Sequence, residues 1–362
     1  MKRYKTILLG CLAVSPLFFT SCEKEETLEG NSNPENNGWV LVWSDEFNTP
    51  TEDNRPDPSK WTYELGASGF GNDELQNYTN KEKNASYTTY NGEGCLKITA
   101  LKDGDGATYS SARIKTEGLF EIRYGRIEAR LILPYGPGLW PAFWMLGNNY
   151  STEGWPGCGE IDIMENKGYQ PNIVSSALHM PGRYSGNPVT QTFGFQDKRF
   201  DTDFHVFAIE WDETKIDFFV DDILYKRVNA ADVTDGEWVF DHPFFIILNV
   251  AVGGTFGGKP TDNTTFPQTM YIDYVRAYKK NDKTLIIVNP PSENDGNTDD
   301  EGGSDEGGDT DEGNEDGDGE DNPGGEDNPD DEEEKEDISS GGSINDWNHN
   351  EEDKGRVDTD IE

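Results

Sequence analysis
An antiparallel all-β sandwich is the fold this sequence predicts, on three observations. Short runs of β-branched and aromatic residues recur from Trp39 to about Lys280, each bounded by Gly, Pro, Asn or Asp. Many of these runs alternate apolar and polar side chains, and no long stretch keeps a helical apolar period. One run, Phe244 to Val252, is apolar almost throughout and suits a central strand buried on both faces. Two stacked sheets of short strands, roughly 240 residues in all, satisfy the three together.

Met1 to Cys22 reads as a signal peptide. Lys2, Arg3 and Lys5 form a basic start, and Ile7 to Phe19 an apolar core too short to span a bilayer comfortably. Phe19-Thr20-Ser21-Cys22 resembles a lipoprotein box, which implies that residues 1–21 are removed and that Cys22 is lipidated. The following Glu23-Lys24-Glu25-Glu26 resembles the acidic signals that send some lipoproteins to the outer face of the outer membrane, so a membrane-anchored, surface-exposed protein is expected. Residues 22–38 are polar and suit a flexible tether. The folded domain is expected over 39–281, opening with Val40-Leu41-Val42-Trp43 and a turn at Ser44 to Phe47. Alternating strands follow at Leu96 to Ala100, Arg126 to Leu131, Phe204 to Trp211 and Lys215 to Val220.

The acidic residues are concentrated at the other end. The chain has 362 residues and a formal charge of −41; Glu293 to Glu362 hold 31 acidic and 3 basic residues, net −28, which leaves −13 for the rest. Residues 282–362 are therefore expected to be a disordered acidic tail, too poor in apolar side chains to offset its ordering entropy. Fragments such as Asp316-Gly317-Asp318-Gly319-Glu320 lack the spacing of an EF-hand loop. This charge balance makes nucleic acid an unsuitable partner, and a monomer is expected.

Chemistry concentrates in Gly159-Glu160-Ile161-Asp162-Ile163-Met164-Glu165-Asn166. In a strand Glu160 and Asp162 share one face and Ile161 and Ile163 the other, which leaves Glu165 on the wrong side. A β-bulge at Ile163 or Met164 would return it, and bulges recur beside active sites to re-aim a side chain. Three carboxylates on one ridge suit glycoside cleavage, in which one carboxylate attacks the sugar while a neighbouring acid protonates the leaving oxygen. Crowded like charges keep one member protonated near neutral pH.

The run Glu160-Ile161-Asp162-Ile163-Met164-Glu165 resembles the bulged Glu-x-Asp-x-x-Glu signature of glycoside hydrolase family 16, which includes laminarinases, lichenases and some agarases. The resemblance covers about Trp39 to Lys280. It implies a β-jelly roll whose concave sheet forms a glycan-binding cleft, with Glu160 as nucleophile, Glu165 as acid/base and Asp162 tuning the pair. The substrate it implies is a β-glucan, either β-1,3-linked or mixed β-1,3/1,4-linked, cleaved internally with retention and without a catalytic cofactor. An agarase or porphyranase specificity is the nearest rival enzyme, and a non-catalytic surface glycan-binding protein is a rival of another class; relatives of that second kind lose the carboxylates, and all three are present.

Sugar rings pack their C–H faces on aromatic faces. Leu133 to Leu146 looks like the laminarinase version of the family loop and strand; Trp140 and Trp144, four residues apart, would share the carboxylate face with Ala142, while Phe143 and Met145 enter the core. The family pattern adds Trp155 as a third platform, Arg113 in Ser111-Ala112-Arg113-Ile114-Lys115-Thr116 as a hydroxyl ligand, and His179 on the leaving-group side. Gly71-Asn72-Asp73-Glu74-Leu75-Gln76-Asn77 resembles the family's Gly-Asn-Glu-Leu-Gln loop with Asp73 inserted, and nominates Asn77. The resemblance also implies a structural calcium held by Asp273 with oxygens from Glu46 and Gly92; a salt bridge from Asp273 to an arginine is the competing reading. Cys95 and Cys158 are left as either a disulfide or two buried thiols.

Overall fold
A computed structural model describes residues 37–104 and 108–288. The signal segment, Cys22, most of the tether and residues 289–362 of the acidic tail lie outside the described residues. Two sheets pack face to face. One runs in the order Val189–Gly194, Ile173–His179, Glu160–Glu165, Leu139–Gly147, Phe244–Val252, Arg113–Lys115, Thr62–Tyr63, with Phe120–Arg123 also beside Phe244–Val252. The other runs Ile223–Asn229, Lys215–Val220, His205–Trp211, Gly125–Ile132, Gln268–Lys279, Glu93–Lys102, Tyr109–Ser111, Gln76–Tyr78. Val40–Asp45 and Ala85–Tyr90 pair onto the second sheet, and a parallel pairing joins Gln76–Tyr78 to Tyr109–Ser111.

The alternation read from the sequence becomes the division between core and outer face. Phe244, Ile246, Leu248, Val250 and Val252 enter the core between the sheets with Phe143, Met145, Ile161, Phe207 and Phe218. Phe245 and Ile247 face the other way and join Leu146 and Cys158 in a small separate cluster. The central strand is thus buried on both faces as expected, but its second face is the floor of the functional surface. Removing either set of side chains from water stabilises the fold by about 1.5–3 kcal/mol per large residue.

The domain boundary at 281 falls short of the observed one. Leu285–Val288 pairs antiparallel with Phe120–Arg123, so the sheet continues past Lys280 into a strand formed by Leu285-Ile286-Ile287-Val288. This run is only four residues long, and the acidic composition beyond it masked its strand character.

Candidate active site
The register across the carboxylate strand puts the bulge at Ile163 and Met164. Against Leu139–Gly147, Met164 pairs with Phe143 and Asp162 with Trp144, which leaves Ile163 as the extra residue. Against Ile173–His179, Asp162 pairs with Ala177 and Glu165 with Ser175, so the shift is felt on both sides. Both Ile163 and Met164 enter the core. The strand therefore spends two successive residues inward and resumes alternation with Glu165 on the face of Glu160 and Asp162. Gly159 precedes this strand with φ +70, and a Cβ there would come within 3.0 Å of Phe244 and Val239, so glycine fits both the turn and the close approach.

The same registers lay out the floor. Glu160 stands between His179 and Leu146, Asp162 between Ala177 and Trp144, and Glu165 between Ser175 and Ala142. Ala142 and Ser175 are the small neighbours of Glu165, whereas Trp144 stands directly beside Asp162 and His179 beside Glu160. Trp155 Nε1 donates to Glu160 Oε2 at 2.9 Å, and Trp140 Nε1 donates to Glu165 Oε1 at 2.9 Å. His179 Nε2 lies 3.1 Å from Asp162 Oδ2 and 3.7 Å from Glu160 Oε1.

No arginine or lysine pairs with any of the three carboxylates among the described residues, and Asp162 is only 4 % exposed. Burial pushes Glu160 up to about 8, with the charge of Asp162 adding to it and His179 and the Trp155 N–H opposing. Burial also raises Asp162. Glu165 is driven well above the ordinary carboxylate range, by burial first and then by the charges of Asp162 and Glu160. An acid and a nucleophile of the same residue type require surroundings that set their protonation states apart.

Residues 72–276 match the family described as glycosyl hydrolases family 16. A beta-glucanase of Rhodothermus marinus is 44% identical over 252 residues, covering 67% of this chain and 85% of that protein. This chain belongs to glycoside hydrolase family 16. A glucan endo-1,3-beta-glucosidase A1 of Niallia circulans is 38% identical, the match covering 67% of this chain and 38% of that longer protein. The catalytic domain of an endo-1,3-beta-glucanase (laminarinase) from Thermotoga petrophila superposes with a TM-score of 0.60 at 46% identity, over 67% of this chain and 98% of that one. The family fold is the jelly roll described above, the protein is a glycoside hydrolase, and its chemistry needs no catalytic cofactor.

The other family 16 positions divide into those brought to the carboxylates and those not. Trp140, Trp144 and Trp155 all reach the carboxylate face, and Trp155 remains 41% exposed. Trp155 stands beside His179 at 5.7 Å and edge-on to Tyr184 at 5.4 Å. Trp140 leans on Phe256 at 5.2 Å, and Gly254, at φ +85, lets that loop lie against the indole. Arg113 is stacked over Trp144 at 4.6 Å and held by Glu64 at 2.7 Å. Asn77 is exposed, with its amide facing the Gly66 carbonyl oxygen at 3.1 Å, so its bonding goes to the loop backbone. The inserted Asp73 is absorbed by a left-handed turn, φ 57, which leaves Glu74 and Gln76 directed inward.

The two acids named for calcium both meet arginines. Arg130 Nη1 donates to Asp273 Oδ2 at 2.6 Å, and the Glu46 carboxylate accepts from Arg276 at 2.9 and 2.7 Å. The Asp273 pair is the arginine salt bridge that competes with the calcium reading. Among the described residues, the acids and histidine close enough to share an ion are Glu160, Asp162 and His179, within the site itself. Cys95 and Cys158 are buried free thiols, both raised to about 11 by burial.

Sequence reasoning overlooked Glu64, Tyr78, Tyr184, Phe256 and Asn249, and in the loop around the inserted Asp73 it kept Asn77 rather than Glu74. Only Asn249 carried a signal: it is the one polar residue in the run Phe244 to Val252, and a buried amide there must find hydrogen bonds.

Proposed function
We propose that this family 16 domain is a retaining endo-β-glucanase acting on internal bonds of β-1,3-glucan or mixed β-1,3/1,4-glucan. The observation that carries the reading is the bulge, because it sets Glu165 on the face of Glu160 and Asp162. Glu160 is the nucleophile: its carboxylate forms a bond to the anomeric carbon as the glycosidic C–O bond breaks. Glu165, a carboxyl raised well above its ordinary range by burial and by the charges of Asp162 and Glu160, gives its proton to the departing oxygen and then takes one from the water that hydrolyses the glycosyl ester. Asp162 accepts the proton that Glu160 must shed before it attacks, and His179 steadies Asp162. Trp140, Trp144 and Trp155 supply stacking surfaces, and Arg113 orients hydroxyl groups. The β-glucan specificities of the relatives support the substrate class.

Product profiles on laminarin, lichenan, barley glucan and agarose test the specificity, with cleavage expected on the first three and none on agarose. Proton NMR of early products tests the mechanism: the β-anomer must appear first, and an α-anomer would mean an inverting site with wider-spaced carboxylates. The N-terminal motif supports attachment of a monomer to the outer membrane through Cys22. Cys22→Ala is expected to shift the protein to the soluble fraction, because stable anchoring depends on the acyl chains.

A further inference from the structure
Trp144 is fixed by a hydrogen-bond chain that leaves the cleft floor and ends on a charge. Its Nε1 donates to Asn249 Oδ1 at 2.8 Å. Asn249 Nδ2 donates to the Tyr78 hydroxyl at 3.1 Å, and Tyr78 donates in turn to Glu74 Oε2 at 3.0 Å. Gln76 Nε2 donates to the same oxygen at 2.6 Å, while Gln76 Oε1 accepts from the Val252 backbone at 2.7 Å, which ties the 74–78 segment to the strand bearing Asn249.

Every link in this chain has one allowed polarity. An indole N–H can only donate, so the Asn249 oxygen must face Trp144 and its NH2 must face Tyr78. Tyr78 therefore accepts from Asn249 and sends its own proton to Glu74. A carboxylate terminus strengthens the bonds leading to it. Asn249, Tyr78 and Gln76 are all buried, so no water competes for these groups. Arg113 covers one face of the Trp144 ring at 4.6 Å, and with the N–H edge pinned as well the ring plane has no freedom to turn.

We propose that Glu74, Tyr78 and Asn249 form a positioning relay that holds the Trp144 indole in the plane a sugar ring stacks on, and that their effect on glucan binding passes through Trp144. The proposal rests on the glucanase reading only for its substrate. Trp144 makes no bond to the reacting atoms, so a loosened indole weakens substrate and transition state alike and is read in KM.

The test is Tyr78→Phe, alone and combined with Trp144→Phe, assayed on whichever glucan the wild type cleaves. Tyr78→Phe is expected to raise KM about tenfold and lower kcat by no more than about twofold, and this KM effect is expected to vanish when Trp144 is already Phe. A second readout needs no turnover: in protein labelled with 15N at tryptophan, the indole resonance lost in Trp144→Phe identifies Trp144. That resonance is expected to move upfield in Tyr78→Phe and also in Glu74→Gln, which keeps the side-chain volume and serves if Tyr78→Phe fails to fold. An unmoved resonance overturns the relay, as does a KM effect that persists undiminished without Trp144. Failure of the wild type to cleave any glucan would overturn the function instead and leave the resonance test standing.

Discussion

The two sheets both bury acidic side chains, and they treat them in opposite ways. On the outer face of the sheet opposite the site, Arg126 lies against Glu128 at 2.8 Å with side chains 5 % and 2 % exposed, and Glu210 and Asp222 complete the group at 3.3 and 3.4 Å. Asp217 is held by Arg227 at 2.6 and 2.8 Å and by Lys215; burial would raise its carboxyl, but these cations leave it below the ordinary value. On the carboxylate face of the other sheet, Glu160, Asp162 and Glu165 meet two indole N–H groups and one imidazole, and all three are raised. Strand position and residue type are alike; the cation is what differs. Paired acids hold the sandwich together, and unpaired acids are left free to carry and exchange protons.

Breaking this contrast at its centre should have the largest effect. Glu160→Gln removes the carboxylate proposed as nucleophile at nearly constant volume, and kcat is expected to fall by at least about a thousandfold with glucan binding retained. The same change is expected to stabilise the fold. Glu160 titrates at about 8 against an ordinary 4.5, so the folded protein holds this proton more tightly than the unfolded chain does. That contribution is fully present below the ordinary value and is lost as pH rises through 8. Calorimetry should therefore find the variant's Tm raised by roughly 2–6 °C at pH 8 and by less at pH 5. An unchanged or lowered Tm at pH 8 would show that the row is not under electrostatic strain.

Glu165→Ala comes next. Its effect should be severe on glucans, whose leaving groups need a proton, and far smaller on activated aryl glycosides, which do not. Equal losses on both would remove Glu165 from the acid role.

The opposite sheet provides the converse. Arg126→Met leaves Glu128, among the described residues, with the Tyr278 hydroxyl at 3.1 Å to satisfy it. Loss of about 3–5 kcal/mol is expected, seen in urea unfolding, with kcat of the folded fraction close to wild type. The smallest effect is expected from Trp155→Phe, which deletes the N–H donated to Glu160. That donor favours the ionised form, so the acidic limb of the kcat/KM profile should move upward by about half to one pH unit; a downward shift would contradict the geometry.

Much of this site was legible along the chain because strand alternation is a local property. The carboxylates at 160, 162 and 165 could share a face only through an inserted residue, so the bulge followed from their spacing and from aliphatic Ile163 and Met164. Trp140 and Trp144 were placed by the same parity. Parity does not say which arginine from a distant strand will meet Asp273 and Glu46: Arg130 and Arg276 do. The 281 boundary failed because an edge run of four residues gives too short a pattern to stand out from a polar flank.

By itself the sequence determined the fold class, the carboxylate ridge and the shared face of Trp140 and Trp144, since each rests on alternation within short segments. Tertiary structure alone decided which charges are paired and which are not, and how Glu74, Tyr78 and Asn249 meet Trp144 across separations of up to 171 residues. Pairing is a matter of distance in space, and a chain read in order carries no record of which remote donor or cation its folded neighbours will bring.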